Sequence, residues 1–336
     1  MTTSTIGSTF EHELGARGRF VARLRVGDIT VRAVDGEVAR IRDSEGRDLG
    51  ESIGIQAGPG ELEIQPMGEK GLGFVLSIGS RRFGRGGDLE IDLPRGTAVS
   101  LETTSGEIDV DGIQGPGHYR SASGGIRLRG VRGVLEVSAI SGDVEIAAED
   151  EIALQLRTVS GDARVRAPRI SRLGLTTVSG DVRVDGDLSG AGPYALETLS
   201  GDATVVVYRG LRVDARTITG ELRSDLEPRA QAGGGRRSLV VGDGETSLTF
   251  KSVSGGLRLA APRGTHASGR RGGALAAAEA ATTTAATDTD PGDTNPGDLE
   301  GADPRLEILR GLERGDLGIE EATARLAELD EQEGTR

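Results

Sequence analysis

Thr158-Val159-Ser160-Gly161-Asp162-Ala163-Arg164-Val165 and Thr177-Val178-Ser179-Gly180-Asp181-Val182-Arg183-Val184 are two copies of one phrase. The phrase is a Thr or Ser, an apolar residue, Ser-Gly-Asp, then apolar-x-apolar. Its central Ser or Thr recurs at Ser105, Ser123, Ser141, Ser160, Ser179, Ser200, Thr219 and Ser254, at spacings of 18, 18, 19, 19, 21, 19 and 35. Self-similarity at a period near twenty residues is the signature of a solenoid. The last spacing is close to two periods, which predicts a degenerate coil or an insertion there.

Each copy reads as two short strands around a glycine corner. Four residues before the Ser stand Leu101, Tyr119, Val137, Leu156, Leu175, Leu196, Ala215 and Phe250. Three residues after it stand Ile108, Ile126, Val144, Ala163, Val182, Ala203, Leu222 and Leu257. Alternation with a period of two and many β-branched residues argues for strand. Stacked in register, these columns form one apolar interior that no single coil could bury alone. Gly106, Gly142, Gly161, Gly180, Gly201 and Gly220 occupy the corner, where glycine tolerates a backbone angle that other residues avoid. The next residue, Asp143, Asp162, Asp181 or Asp202, with Glu107 and Glu221 as variants, suits a turn. Two residues further on, Arg127, Arg164, Arg183, Arg223 and Arg258 form a basic column beside the acidic one, because residues two apart in a strand share a face.

The phrase Thr177–Val184, and the lead-in Asp88-Leu-Glu-Ile-Asp-Leu-Pro94-Arg-Gly-Thr-Ala-Val-Ser-Leu-Glu-Thr-Thr-Ser-Gly106, resemble the bacterial putative-adhesin β-strand-repeat family, a domain of unknown function. The resemblance covers residues 20–260 and implies a β-repeat fold. It brings no catalytic residues with it, and for some relatives it implies action at the cell envelope.

Composition narrows the classes. Aromatic residues are 2% of the 336, with no Trp, which suits a narrow aliphatic stack better than a large globular core. The net charge of -13 argues against a general nucleic-acid binder. With no Cys there is no disulfide, thiol nucleophile or thiolate metal site. The N-terminus lacks a basic and then apolar leader, and no apolar run is long enough to span a bilayer. A cytoplasmic protein is therefore expected, with the cell surface as the alternative.

The chain divides into a polar, mobile leader over 1–17 and a β-solenoid over 18–262. Within the latter, 18–97 reads as irregular first coils or a cap and 98–262 as regular repeats. Gly27-Asp-Ile-Thr-Val31, Gly60-Glu-Leu-Glu-Ile64 and Gly87-Asp-Leu-Glu-Ile91 echo the repeat inside the first part. Residues 79–87 and 228–238 read as surface loops. Residues 263–302 are rich in Ala, Thr, Gly, Asp and Pro and read as a disordered linker. Residues 303–330 read as a helical hairpin, with Asp303 as N-cap, Pro304 at the first helical position, and apolar stripes Leu306, Leu309, Leu312 and then Leu326, Leu329. This hairpin resembles short C-terminal (SHOCT-like) modules. Two helices this short are marginal alone, so a protein partner or self-association through those leucines is expected.

The fold class expected is therefore all-β, a β-solenoid or β-helix-like stack, plus a small α-helical hairpin on a tether. His12, His118 and His266 fall in leader, turn and linker, so no metal or catalytic His cluster is expected. No base recurs beside the repeated serines, so these are structural hydroxyls and the protein is not an enzyme. No cofactor is expected. Calcium on the repeated carboxylates is the alternative, although the Arg column competes for them. The functional expectation is a scaffold or interaction protein linked to envelope stress or surface contact. The alternatives are an extracellular adhesin or ligand-binding module, and a filament formed by end-to-end stacking.

Overall fold

The computed structural model of the chain describes residues 3–6, 8–66, 87–190, 192–232 and 237–262. The expected linker and helical hairpin, with Leu306, Leu309, Leu312, Leu326 and Leu329, lie outside the described residues, as does most of the 79–87 loop. The described part belongs to one compact unit and is nearly all strand.

In chain order the strands are β1 (Thr3–Ile6), β2 (Thr9–Glu13), β3 (Arg19–Val26), β4 (Ile29–Val34) and β5 (Val38–Asp43). One helical turn, α1 (Leu49–Ser52), capped by the Asp48 carboxylate on the Gly50 N–H, leads to β6 (Ile53–Gly58), β7 (Glu61–Pro66) and β8 (Leu89–Pro94). The repeat proper is β9 (Ala98–Ser105), β10 (Ile108–Asp111), β11 (Gly117–Ser123), β12 (Ile126–Ser141), β13 (Val144–Ser160), β14 (Ala163–Ser179), β15 (Val182–Leu188), β16 (Tyr194–Ser200) and β17 (Ala203–Val206). It closes with β18 (Leu211–Thr217), β19 (Leu222–Ser224), β20 (Pro228–Ala232), β21 (Arg237–Val241), β22 (Thr246–Ser254) and β23 (Leu257–Ala260).

The repeat stacks as expected, in parallel and in register. Ser123 pairs with Ser141, Ser141 with Ser160, Ser160 with Ser179 and Ser179 with Ser200. Each coil has one strand before the glycine corner and one after it, so the stack has two faces, and all the described strands belong to one hydrogen-bonded sheet. The strands β12, β13 and β14 turn the second corner of the coil without a break, through bulges such as that between Ala147 and Glu151. The column from Leu101 to Phe250 is buried throughout, and so is the column from Ile108 to Leu257 except at half-buried Leu222. Together they form one continuous core. Tyr119 fits this narrow interior because Gly117 beside it has no side chain; a Cβ there would collide with the Tyr119 ring.

Coil order departs from chain order at both ends. Strand β22 pairs in parallel with β16 on one side and with β18 on the other, and β23 lies likewise between β17 and β19. The 35-residue spacing is therefore a detour. The chain skips one level at Gly210, which passes so close to Asp243 and Gly244 that a Cβ would collide with both. It lays down β18 and β19, adds the antiparallel hairpin β20–β21 outside β18, and returns with β22–β23 to fill the skipped level. Residues 228–238, expected to protrude as a loop, contribute the strands of that hairpin. At the other end, β3 lies between β7 and β9, and β4 between β8 and β10. Both ends of the repeat body are thus locked in by a neighbour on each side.

The N-terminal end is finished by antiparallel strands: β6 on β7, and β5, β2 and β1 in succession on β8. Residues 9–13, expected in a mobile leader, form β2. Their alternation is the reason, since Phe10 and His12 point inward and are buried while Glu11 and Glu13 point outward. Leu14 is buried just beyond. Such end strands cover open backbone edges.

Candidate functional site

The motif residues converge on one corner that runs the length of the stack. Gly161 has φ +123 and Gly180 φ +126, a region that costs residues with a Cβ about 1–3 kcal/mol. A Cβ on Gly161 would also run into the carbonyl oxygen of Gly142, and one on Gly180 into that of Gly161. Backbone angle and stacking distance both demand glycine. Gly106, Gly142 and Gly201 share the positive φ. Gly220 differs: it lacks the positive φ and needs glycine only for space, against the carbonyl of Gly255. The column also contains Gly27 and Gly124, both with positive φ, and Gly255 in the inserted coil.

The aspartates do more than suit a turn. The Asp143 carboxylate accepts the backbone N–H of Asp162 at 2.9 Å, Asp162 that of Asp181 at 3.1 Å, Asp181 that of Asp202 at 2.9 Å, and Asp202 that of Gly256 at 2.8 Å. Asp88 accepts from Asp28, and Asp28 from Glu107, in the same sense. Each carboxylate therefore ties its coil to the next, along the same axis as the strand hydrogen bonds. The ladder skips Glu107, whose longer side chain reaches Arg127 instead, and Gly125, which has no side chain.

The serines contribute their backbone rather than their hydroxyls. The carbonyl of Ser160 accepts from Gly142 N–H at 3.1 Å, and that of Ser179 from Gly161 N–H at 3.3 Å. Their side chains face solvent. Two residues earlier, Thr177 and Thr198 point inward and donate to the carbonyls of Ser179 and Ser200.

The basic column partly neutralises the acidic one. Arg164 lies 2.8 Å from Asp162, and Arg127 and Arg223 pair with Glu107 and Glu221. Arg258 pairs with Asp225 at 3.0 Å, outside the column. Exposed pairs of this kind contribute about 0–1 kcal/mol each, so they pattern the surface more than they hold it together.

Where Gly256 interrupts the acidic column and Thr204 the basic one, the surface opens into a cavity of about 790 Å³. Asp202, Thr204, Glu221, Arg223 and Arg258 line it. Away from the corner, His12 is buried in β2 with its Nε2 2.8 Å from the carbonyl of Gly58. His118, expected in a turn, lies in β11 with its ring 3.2 Å from Glu136. No group of three or more His, Asp or Glu side chains among the described residues is arranged to hold a metal ion.

Perturbed acids mark structural positions. Burial alone would raise the Asp43 carboxyl, but hydrogen bonds from the Arg47 side chain and from the Arg47 and Glu45 backbones, with the Arg47 charge, outweigh it and hold the pKa below the ordinary value. Hydrogen bonding from Gln65 and then Arg23 lowers that of Glu63. Burial raises the Tyr119 hydroxyl, and a hydrogen bond to Asp185 raises that of Tyr208.

A family model described as Toastrack DUF4097 matches residues 23–155 and again 60–255. No curated protein matches the sequence. Among solved structures, a protein named putative lipid binding protein, from Parabacteroides distasonis, is 14% identical with a TM-score of 0.45, over 75% of this chain and 96% of that one. One named putative adhesin, from Bacteroides fragilis, is 12% identical with a TM-score of 0.41, over 76% and 98%. One named putative cell adhesion protein, from Clostridium sporogenes, is 13% identical with a TM-score of 0.21, over 78% and 98%.

Proposed function

The chain belongs to the Toastrack DUF4097 family, and from that premise we propose that it is a non-enzymatic interaction protein, a stiff β-stack that presents a patterned surface. The observation that carries this reading is the carboxylate ladder. The repeated carboxylates Asp143, Asp162, Asp181 and Asp202 are used to hold coil to coil. What remains outward is a repeating pattern of acidic and basic side chains, some of them paired, suited to display. In this reading residues 303–330 recruit a protein partner, and the protein works in the cytoplasm in a response linked to the envelope. The test is capture by the full chain and by a chain ending at residue 262. A partner held only by the full chain supports the reading; failure of the full chain to hold any protein above the level of the shortened one counts against it.

A second reading is an extracellular adhesin or ligand-binding module. The observation favouring it is the open cavity beside Gly256, large enough for a small ligand and lined by both signs of charge. It predicts protein outside the cell membrane and saturable binding of a carbohydrate or calcium that Arg258→Ala weakens. Recovery of the protein in the cytoplasmic fraction alone contradicts it.

A further inference from the structure

The apolar residue just before Ser in the repeated phrase is the one motif position that neither the core nor the corner uses. It is Ile140, Val159, Val178, Leu199, Val253 and Ile218, taken in the order of the stack. Because its neighbours Thr158, Thr177 and Thr198 point inward, this residue points outward. The first three are half-buried; Leu199 is 43% exposed, Val253 42% and Ile218 76%. The earlier coils carry Thr104 and Ala122 at this position, so the apolar strip begins at Ile140 and continues to the last coil. Strand propensity favours aliphatic residues, yet the outward position two residues earlier holds Arg157, Thr176, Glu197, Lys251 and Arg216. An unbroken apolar strip across six levels, about 24 Å at the usual strand spacing, is a feature of the surface.

Two properties point to its occupant. The first is spacing. A helix laid along the strip advances about 5.4 Å per turn against about 4.8 Å per level and drifts out of step by about 3 Å across it. A second copy of the same stack has the same repeat at every level. The second is charge. On the corner side of the strip run Asp143, Asp162, Asp181, Asp202 and Glu221; on the sheet side stand Arg157, Arg216 and the mutually paired Glu197 and Lys251, which lie 2.7 Å apart. Arg157 and Arg216 form no ion pair among the described residues. A twofold axis parallel to the strip sets each level against itself and exchanges the flanks. Glu221 then faces Arg216 of the second copy and Asp162 faces Arg157, while Asp202 faces a Glu197 whose charge its own Lys251 offsets. A twofold axis perpendicular to the strip would lay the whole acidic column against itself, with Arg157 and Arg216 on the opposite flank.

We propose that Ile140, Val159, Val178, Leu199, Val253 and Ile218 form a homodimer seam, with two copies side by side and coils in register about a twofold axis parallel to the strip. The contact is narrow, below about 1,200 Å² in total, so association is weak and depends on concentration. The seam is independent of any recruitment through residues 303–330.

The absence of cysteine makes the test direct. In the full chain, Ile218→Cys and Val253→Cys each place a thiol opposite its own mate. Val134→Cys, 62% exposed and off the strip, does not. Under mild oxidation at equal concentration, the first two are expected to form disulfide-linked dimers at least tenfold faster than Val134→Cys. Adding Arg216→Glu to Val253→Cys should slow linkage severalfold, and further adding Glu221→Arg should restore it. Equal rates at the three cysteine positions, or a Val253→Cys rate indifferent to Arg216→Glu, overturns the proposal.

Discussion

Gly161→Ala isolates what the corner demands. Gly161 has φ +123, and an added methyl would meet the carbonyl oxygen of Gly142. The backbone angle alone costs about 1–3 kcal/mol. Relieving the collision separates the two coils at the corner. That weakens the bond from Gly142 N–H to Ser160 O at 3.1 Å and the one from Asp162 N–H to the Asp143 carboxylate at 2.9 Å. Each such bond is worth about 1 kcal/mol net, so the expected loss is about 3–5 kcal/mol. Asp162→Ala removes one acceptor at a partly exposed position and should cost about 1 kcal/mol. Ser160→Ala changes a solvent-facing hydroxyl and should stay within about 0.5 kcal/mol. Urea unfolding of the three full-length variants, followed by circular dichroism, gives the ranking. Comparable losses for Ser160→Ala and Gly161→Ala, or a loss below about 1 kcal/mol for Gly161→Ala, would refute the steric reasoning.

A chain ending at Gly242 lacks β22 and β23, so β18 and β19 lose the level that joins them to β16 and β17; it should lose cooperative thermal unfolding, whereas a chain ending at residue 262 should keep it. The folded Asp43 carboxyl lies below its ordinary value of 3.8, so its contribution is complete above that pH and is lost as pH falls through the folded value. Asp43→Asn should therefore lessen the drop in stability measured from pH 5 to pH 2; an unchanged slope would contradict the assignment. All three tyrosines, Tyr119, Tyr194 and Tyr208, are raised above 10.0. Fewer than half should ionise at pH 10.0 in an ultraviolet titration of the folded protein, and half-ionisation there would count against the burial of Tyr119 and the Tyr208–Asp185 bond.

The stack was legible because its period is printed in Ser160-Gly161-Asp162 and its relatives, and because apolar alternation there has a single reading. The inward columns followed directly. What the sequence hid was coil order. Strand register depends on which coil a strand meets, and a 35-residue spacing fits a detour as well as a degenerate coil. The glycine column was legible for position but not for cause, since close stacking appears only when coils are superposed. For the same reason Asp162 read as a turn residue: its acceptor role involves an amide 19 residues away. Gly27 and Asp28 carried the needed signal in Gly27-Asp-Ile-Thr-Val31, an echo of the repeat. The strand at 9–13 was missed because five alternating residues among Thr, Glu and His carry little hydrophobic contrast.

Coil order can be tested in the unmodified protein. The chain has two lysines, Lys70 and Lys251. Lys251 Nζ lies 2.7 Å from the Glu197 carboxylate because β22 is inserted beside β16. Carbodiimide coupling followed by mass spectrometry should yield an isopeptide bond between Lys251 and Glu197, 54 residues apart. If the coils instead followed chain order, the Ser254 coil would lie beyond that of Thr219, and Lys251 would couple elsewhere with no Glu197 product.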